Sequence, residues 1–159
     1  MRFVYRITAA VLGLMARVTA ASCSGPQAPP FKPVADVKLL MQSIVDPQAD
    51  IVWEPVGTIV TADGIEERQP HTDEDWEAVR NAAVALTESG NLLMMVPRAY
   101  DGGDWMKMSQ ALVDVGSDAL KAAQGKNVDR LWAVGEQIDE ACEACHREYA
   151  YENAPRRKR

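Results

Sequence analysis

Between Asn127 and Tyr149 the side chains Leu131, Val134, Ile138, Cys142, Cys145 and Tyr149 fall three or four residues apart. That is the period of a single buried stripe on an α-helix. It constrains the fold more than any other feature, because a strand would throw the same residues onto alternating faces. Asn127, just before the run, is a side chain that can cap a helix N-terminus. The period recurs three times upstream. Val37, Leu40, Met41, Ile44 and Val45 form one stripe; Trp76, Val79, Ala83, Leu86 and Leu93 form a second; Trp105, Met108, Leu112, Val115 and Leu120 form a third. Four amphipathic stretches, with short polar breaks between the later ones, predict an all-α four-helix bundle.

Local signals place the helix ends. Thr72 can cap the second helix, and Asp73, Glu74 and Asp75 suit its positive end. That helix is expected to run past Gly90 to Met95 and to stop before Pro97 and Gly102-Gly103. Asp104 is the expected cap of the third helix and Gly125 its terminator. In the first, Asp46-Pro47 either kinks the helix or opens a second segment with proline at its first position. Ala49, Ile51, Val52 and Trp53 carry the apolar content onward. From Glu54 to His71 the chain reads as a long connection with one short extended piece, Thr58–Thr61.

The last helix also carries chemistry. Cys142-Glu143-Ala144-Cys145-His146 is a Cys-x-x-Cys-His run, the attachment pattern of a c-type haem. Two thiols can add across the vinyl groups of a haem to give thioethers, and His146 can ligate the iron as proximal ligand. Three residues are just under one turn, so both sulfurs project toward one macrocycle, with His146 about 100° further round the axis. The alternatives are poorly supplied. Structural zinc wants four Cys or His ligands, but Cys23 and His71 lie far off with no second pair. A thioredoxin-like pair belongs after a strand in a βαβ pattern, and no strand pattern precedes Cys142.

The N-terminus reads as an export signal over residues 1–22. Met1 to Arg6 is basic, Ile7 to Ala16 is apolar but too short to span a bilayer, and Val18 to Ser22 offers small residues for cleavage. Cys23 follows directly, as in a bacterial lipoprotein, and is a candidate for lipidation that would anchor the domain without a spanning helix. Residues 23–33 carry Pro26, Pro29, Pro30 and Pro33 and read as a tether. The helical domain is expected over 34–153, and 154–159 is a basic tail. Removing the signal deletes three arginines and takes the formal charge from −6 to −9. Such acidity argues against nucleic-acid binding and fits a basic redox partner.

Taken together, Cys142, Cys145 and His146 near the end of a four-helix chain resemble the class II c-type cytochromes, the cytochrome c-prime family. The resemblance covers roughly residues 34–151 and rests on those three residues. It implies a periplasmic monohaem protein, often a homodimer through the first two helices, that carries single electrons and is not an enzyme. It also implies that the first helix supplies the distal face of the haem, where Met41 is the candidate second axial ligand. Many members carry an arginine four residues after the histidine, and here that position is Ala150. If no methionine ligates, the resemblance implies a five-coordinate binder of nitric oxide or carbon monoxide. A third reading, without haem, is a helical interaction module. Lys38 and Arg80 are candidates for contact with haem propionates.

Overall fold

The computed structural model describes residues 30–151. The expected export signal, Cys23, most of the tether and the basic tail lie outside the described residues. One compact unit begins at Pro33, and residues 30–32 belong to a separate one.

The fold is mostly helical with one small sheet. Helix α1 (Val37–Leu40) runs through a π-helical turn (Met41–Val45) into α2 (Asp46–Trp53), so these form one continuous helical stretch. Strands β1 (Gly57–Thr61) and β2 (Gly64–Arg68) follow, then the long helices α3 (Asp73–Met94), α4 (Asp104–Gln124) and α5 (Val128–Tyr149). Helix α3 packs along α4, α4 along α5, and α2 against both α3 and α5.

The first stretch shows how a proline is absorbed. Pro47 has no N–H to give the Ser43 carbonyl, and its ring would crowd that oxygen in a regular α-helix. The backbone widens just before it, and the Asp46 amide donates to the Met41 carbonyl five residues back. The buried positions record the change. Leu40 and Val45 are five apart, whereas Val45, Ala49 and Val52 return to the ordinary four and three. Asp46-Pro47 therefore neither breaks nor sharply restarts the helix; it is carried by one wide turn.

The remaining boundaries follow local chemistry. Thr72 Oγ1 accepts from the Asp75 amide, while Asp75 Oδ2 accepts from the amides of Thr72 and His71. These bonds, that from Thr72 foremost, hold the Asp75 carboxyl below its usual range. Asn127 caps α5 by accepting from the Arg130 amide, and Gly125 ends α4 as expected. The expected cap of α4 is corrected. Asp104 is the first helical residue, and the capping oxygen is Asp101 Oδ1, which accepts from the Gly103 and Trp105 amides.

The long connection is the larger correction to the all-α expectation. It folds into an antiparallel hairpin in which Val60 faces Ile65 and Thr61 faces Gly64. Gly64 adopts φ +145°, open to glycine and costly for other residues. The Asp63-Gly64 dipeptide is a hairpin signal.

The core runs between the helices, with Val52, Val79, Leu86, Leu131 and Ile138 almost wholly buried. Each such side chain contributes about 1.5–3 kcal/mol by leaving water. Helices α3 and α4 approach most closely where side chains are smallest. A Cβ added at Gly90 would lie 2.6 Å from Val113 Cγ2 and 2.8 Å from the Ser109 carbonyl oxygen. Gly90→Ala should therefore destabilise the fold by a net ~1–2 kcal/mol in urea unfolding, despite the ~1 kcal/mol gain in helix propensity. Gly102→Ala, where no atom lies within 4 Å of the new methyl, should stay within about 0.5 kcal/mol.

Candidate functional site

Residues Cys142, Cys145 and His146 stand on the last two turns of α5, each half-buried and directed toward the first helical stretch. Stripe spacing explains the position. The residues that continue the Leu131–Val134–Ile138 stripe must face the neighbouring helices, but at this end the facing side chains stand back and leave clefts.

Three openings surround the group. One, of about 430 Å³, lies between Val37, Met41, Tyr100, Trp105, Cys145 and His146. A second, of about 350 Å³, lies between Met41, Asp46, Trp53, Asp139, Cys142 and His146. Between them an apolar gap of about 20 Å³ is walled by Val45, Leu93, Met108 and Leu112, with both cysteines on its edge. Met41 and His146 line all three. Met41 opens the π turn that precedes Pro47.

The electrostatics of the thiols separate the available chemistries. Burial pushes the Cys145 thiol up to about 11, with Cys142 adding to the effect. Burial also raises Cys142, helped by the charges of Asp139 and Asp46. Both sulfurs are free and protonated at neutral pH. Cysteines with a lowered pKa are found instead near a helix N-terminus or a cation. These two sit at the C-terminal end of α5. Among the described residues no three or more His, Cys, Asp or Glu side chains converge in a way that could hold an ion, whereas structural zinc wants four ligands.

The wall of the first cleft is an aromatic cluster pinned by hydrogen bonds. Trp105 stacks edge-on against Tyr149 at 5.0 Å between centroids and lies 4.7 Å from Tyr100. Its Nε1 donates to the Leu93 carbonyl at 2.8 Å, satisfying an orphan acceptor at the end of α3. Tyr149 donates to Asp101 Oδ2 at 2.6 Å, so one carboxylate both caps α4 and fixes a ring of α5.

Other candidates fall in different places. Lys38 lines the first cleft, while Arg80 pairs with Glu77 on α3. Met108 reaches the apolar gap; Met94, Met95 and Met106 line none of the three openings. His71 is exposed, its amide bound to Asp75. Trp53 lines the second cleft, Trp76 is buried, and Trp132 is half exposed beside Gly57. Arg147 is exposed, and Ala150 edges the first cleft. The sequence reading did not single out Tyr100, Asp101 or Arg98; Tyr149 was visible on the stripe, but its polar partner was not. Comparison with known protein families, curated proteins and solved structures finds no match to this chain.

Two outcomes follow. Trp105→Phe keeps the ring but leaves the Leu93 carbonyl unpaired, and should cost about 1–3 kcal/mol in chemical denaturation. In protein whose thiols are unmodified, the raised folded-state pKa values mean that the native state holds its thiol protons longer than the unfolded chain does. Their contribution is fully present below about 9 and is lost as pH rises toward the folded value of about 11 for Cys145. Cys145→Ser should flatten that alkaline loss in thermal melts recorded between pH 8 and 11.

Proposed function

We propose that this chain is an exported monohaem c-type cytochrome that carries single electrons, built as a four-helix bundle with its haem on the last helix. The observation that carries the reading is the meeting of Met41 with Cys142, Cys145 and His146 around one set of clefts. The motif alone accounts for three of those residues. Met41 comes from a different helical stretch about a hundred residues away in sequence.

Each side chain has a task in this reading. Cys142 and Cys145 would supply the two thiols; each S–H adds across a vinyl C=C, sulfur to one carbon and the proton to the other, giving a thioether with no leaving group. The His146 imidazole nitrogen and the Met41 thioether sulfur would be the residues that hold the iron. Val45, Leu93, Met108 and Leu112 make the gap between them and the cysteines apolar, and a dry setting with a Met ligand would favour a high reduction potential. Bound haem supplies the reversible one-electron couple; the protein supplies ligands, burial and charge. The same residues resemble the cytochrome c-prime pattern, with Ala150 replacing the frequent arginine. The basic start, the apolar run and Cys23 support export and lipid tethering at a periplasmic membrane face. Among the described residues no helix is long and apolar enough to cross a membrane. The acidic body suits a basic redox partner.

The test is maturation in a bacterial host that attaches c-type haem. The intact mass should rise by one haem, and both the added mass and the colour should disappear in Cys142→Ser/Cys145→Ser. A colourless product with both thiols open to alkylation would overturn the reading. The reduced protein should also be unresponsive to carbon monoxide on mixing. A fast spectral change would instead favour a five-coordinate gas binder.

A further inference from the structure

Arg98, in the connection between α3 and α4, is only 8 % exposed. Its Nε donates to the Ala35 carbonyl at 3.0 Å and its Nη1 to the Leu92 carbonyl at 3.3 Å. Both acceptors are neutral. Among the described residues its guanidinium makes no ion pair with a carboxylate. A neutral side chain could serve the two carbonyls equally well, whereas a buried charge without a counter-charge carries an effective penalty of several kcal/mol. The arrangement asks for an anion.

The surroundings say where it would sit. Arg98 and Lys38 line one cleft of about 510 Å³. That cleft shares Val37, Lys38 and Tyr100 with the cleft containing His146 and Cys145, so the two are contiguous. Lys38 is exposed and likewise has no ion-pair partner among the described residues. Asp36 lines the same cleft and keeps its negative charge, its Oδ1 accepting from the Leu39 amide as the cap of α1, so the cleft carries two cations against one anion. The opposite mouth has the reverse character: Asp46, Asp139 and Glu143 line it, and no lysine or arginine does. A ligand with a carboxylate-bearing edge is thus attracted at the Lys38–Arg98 mouth and repelled at the other.

We infer that Lys38 and Arg98 receive the two propionate carboxylates of the haem, which fixes the edge of the macrocycle that points out between α1 and the α3–α4 connection. This rests on the haem reading above. Guanidinium and carboxylate suit each other through paired N–H···O bonds, and Lys38 adds a mobile point charge at the rim.

The experiment uses holoprotein matured in a haem-attaching host and compares midpoint potentials at pH 7. Arg98→Met and Lys38→Met should each move the potential negative, because loss of a cation beside the propionates favours the more positive ferric state. Arg98→Lys, which keeps the charge, should recover most of the shift. Lys121→Met, whose side chain pairs with Asp118 on α4, serves as the control and should not move it. If haem is attached but Arg98→Met and Lys38→Met match the parent, the inference fails while the haem reading stands. If Arg98→Lys shifts the potential as far as Arg98→Met, Arg98 is a structural tie and the inference fails as well. Should Arg98→Met not fold, the exposed Lys38→Met still decides. Absence of haem from the parent protein would sink the underlying reading itself.

Discussion

An imino acid sets the register on which the site depends. Pro47 cannot complete the hydrogen-bond ladder of the first helical stretch, and the strain is relieved by one wide turn from Met41 to Val45. A wide turn displaces everything before it relative to everything after it. The result is that Leu40 and Val45 both stay in the core, five residues apart, while Met41 is left half-buried at the margin facing α5. Without that wide turn, the stripe that buries Val45, Ala49 and Val52 would drift off Leu40. π-Helical turns are often found at functional sites, and this one carries Met41 at its first position.

The rest of the molecule serves to hold α5 opposite this turn. The small residues between α3 and α4 allow those two helices to approach until Gly90 and Gly116 meet the partner backbone or its immediate side chains. Helix α4 of this pair, together with α2, gives the platform on which α5 packs. Where α5 leaves the platform, its stripe changes from Leu131, Val134 and Ile138 to Cys142 and Cys145. The aromatic cluster of Tyr100, Trp105 and Tyr149 then closes one side through the Asp101 carboxylate and the Leu93 carbonyl. Charge differs between the two mouths, one carrying Lys38 and Arg98 beside Asp36, the other Asp46, Asp139 and Glu143 with no lysine or arginine.

Much of this could be read from the chain, for reasons that can be stated. The three long helices announce themselves by unbroken apolar periodicity and by capping chemistry at Thr72 and Asn127, both local signals. The site residues Cys142, Cys145 and His146 are adjacent in sequence, so their grouping needed no fold. Met41 is nominated because the cytochrome c-prime resemblance implies a distal face on the first helix, on whose apolar stripe it lies. What escaped was non-local or rule-breaking. The second strand of the hairpin is exposed along its whole length and has no apolar alternation to betray it, although Asp63-Gly64 marked the turn. Asp101 caps from three residues before the helix, displacing the nearer Asp104. The burial of Arg98 depends on carbonyls of Ala35 and Leu92, one of them 63 positions away, and no local pattern encodes that.

If the chain carries haem as proposed, the Met41 sulfur and the His146 imidazole take opposite faces of one iron. The most direct measurement is the absorption spectrum of the oxidised holoprotein beside that of Met41→Ala, with Met108→Ala as the comparison. The parent and Met108→Ala should show a low-spin spectrum with a weak long-wavelength sulfur-to-iron band, and Met41→Ala should lose it and convert to high spin. A parent spectrum already high-spin, or one left unchanged by Met41→Ala, would contradict that ligation.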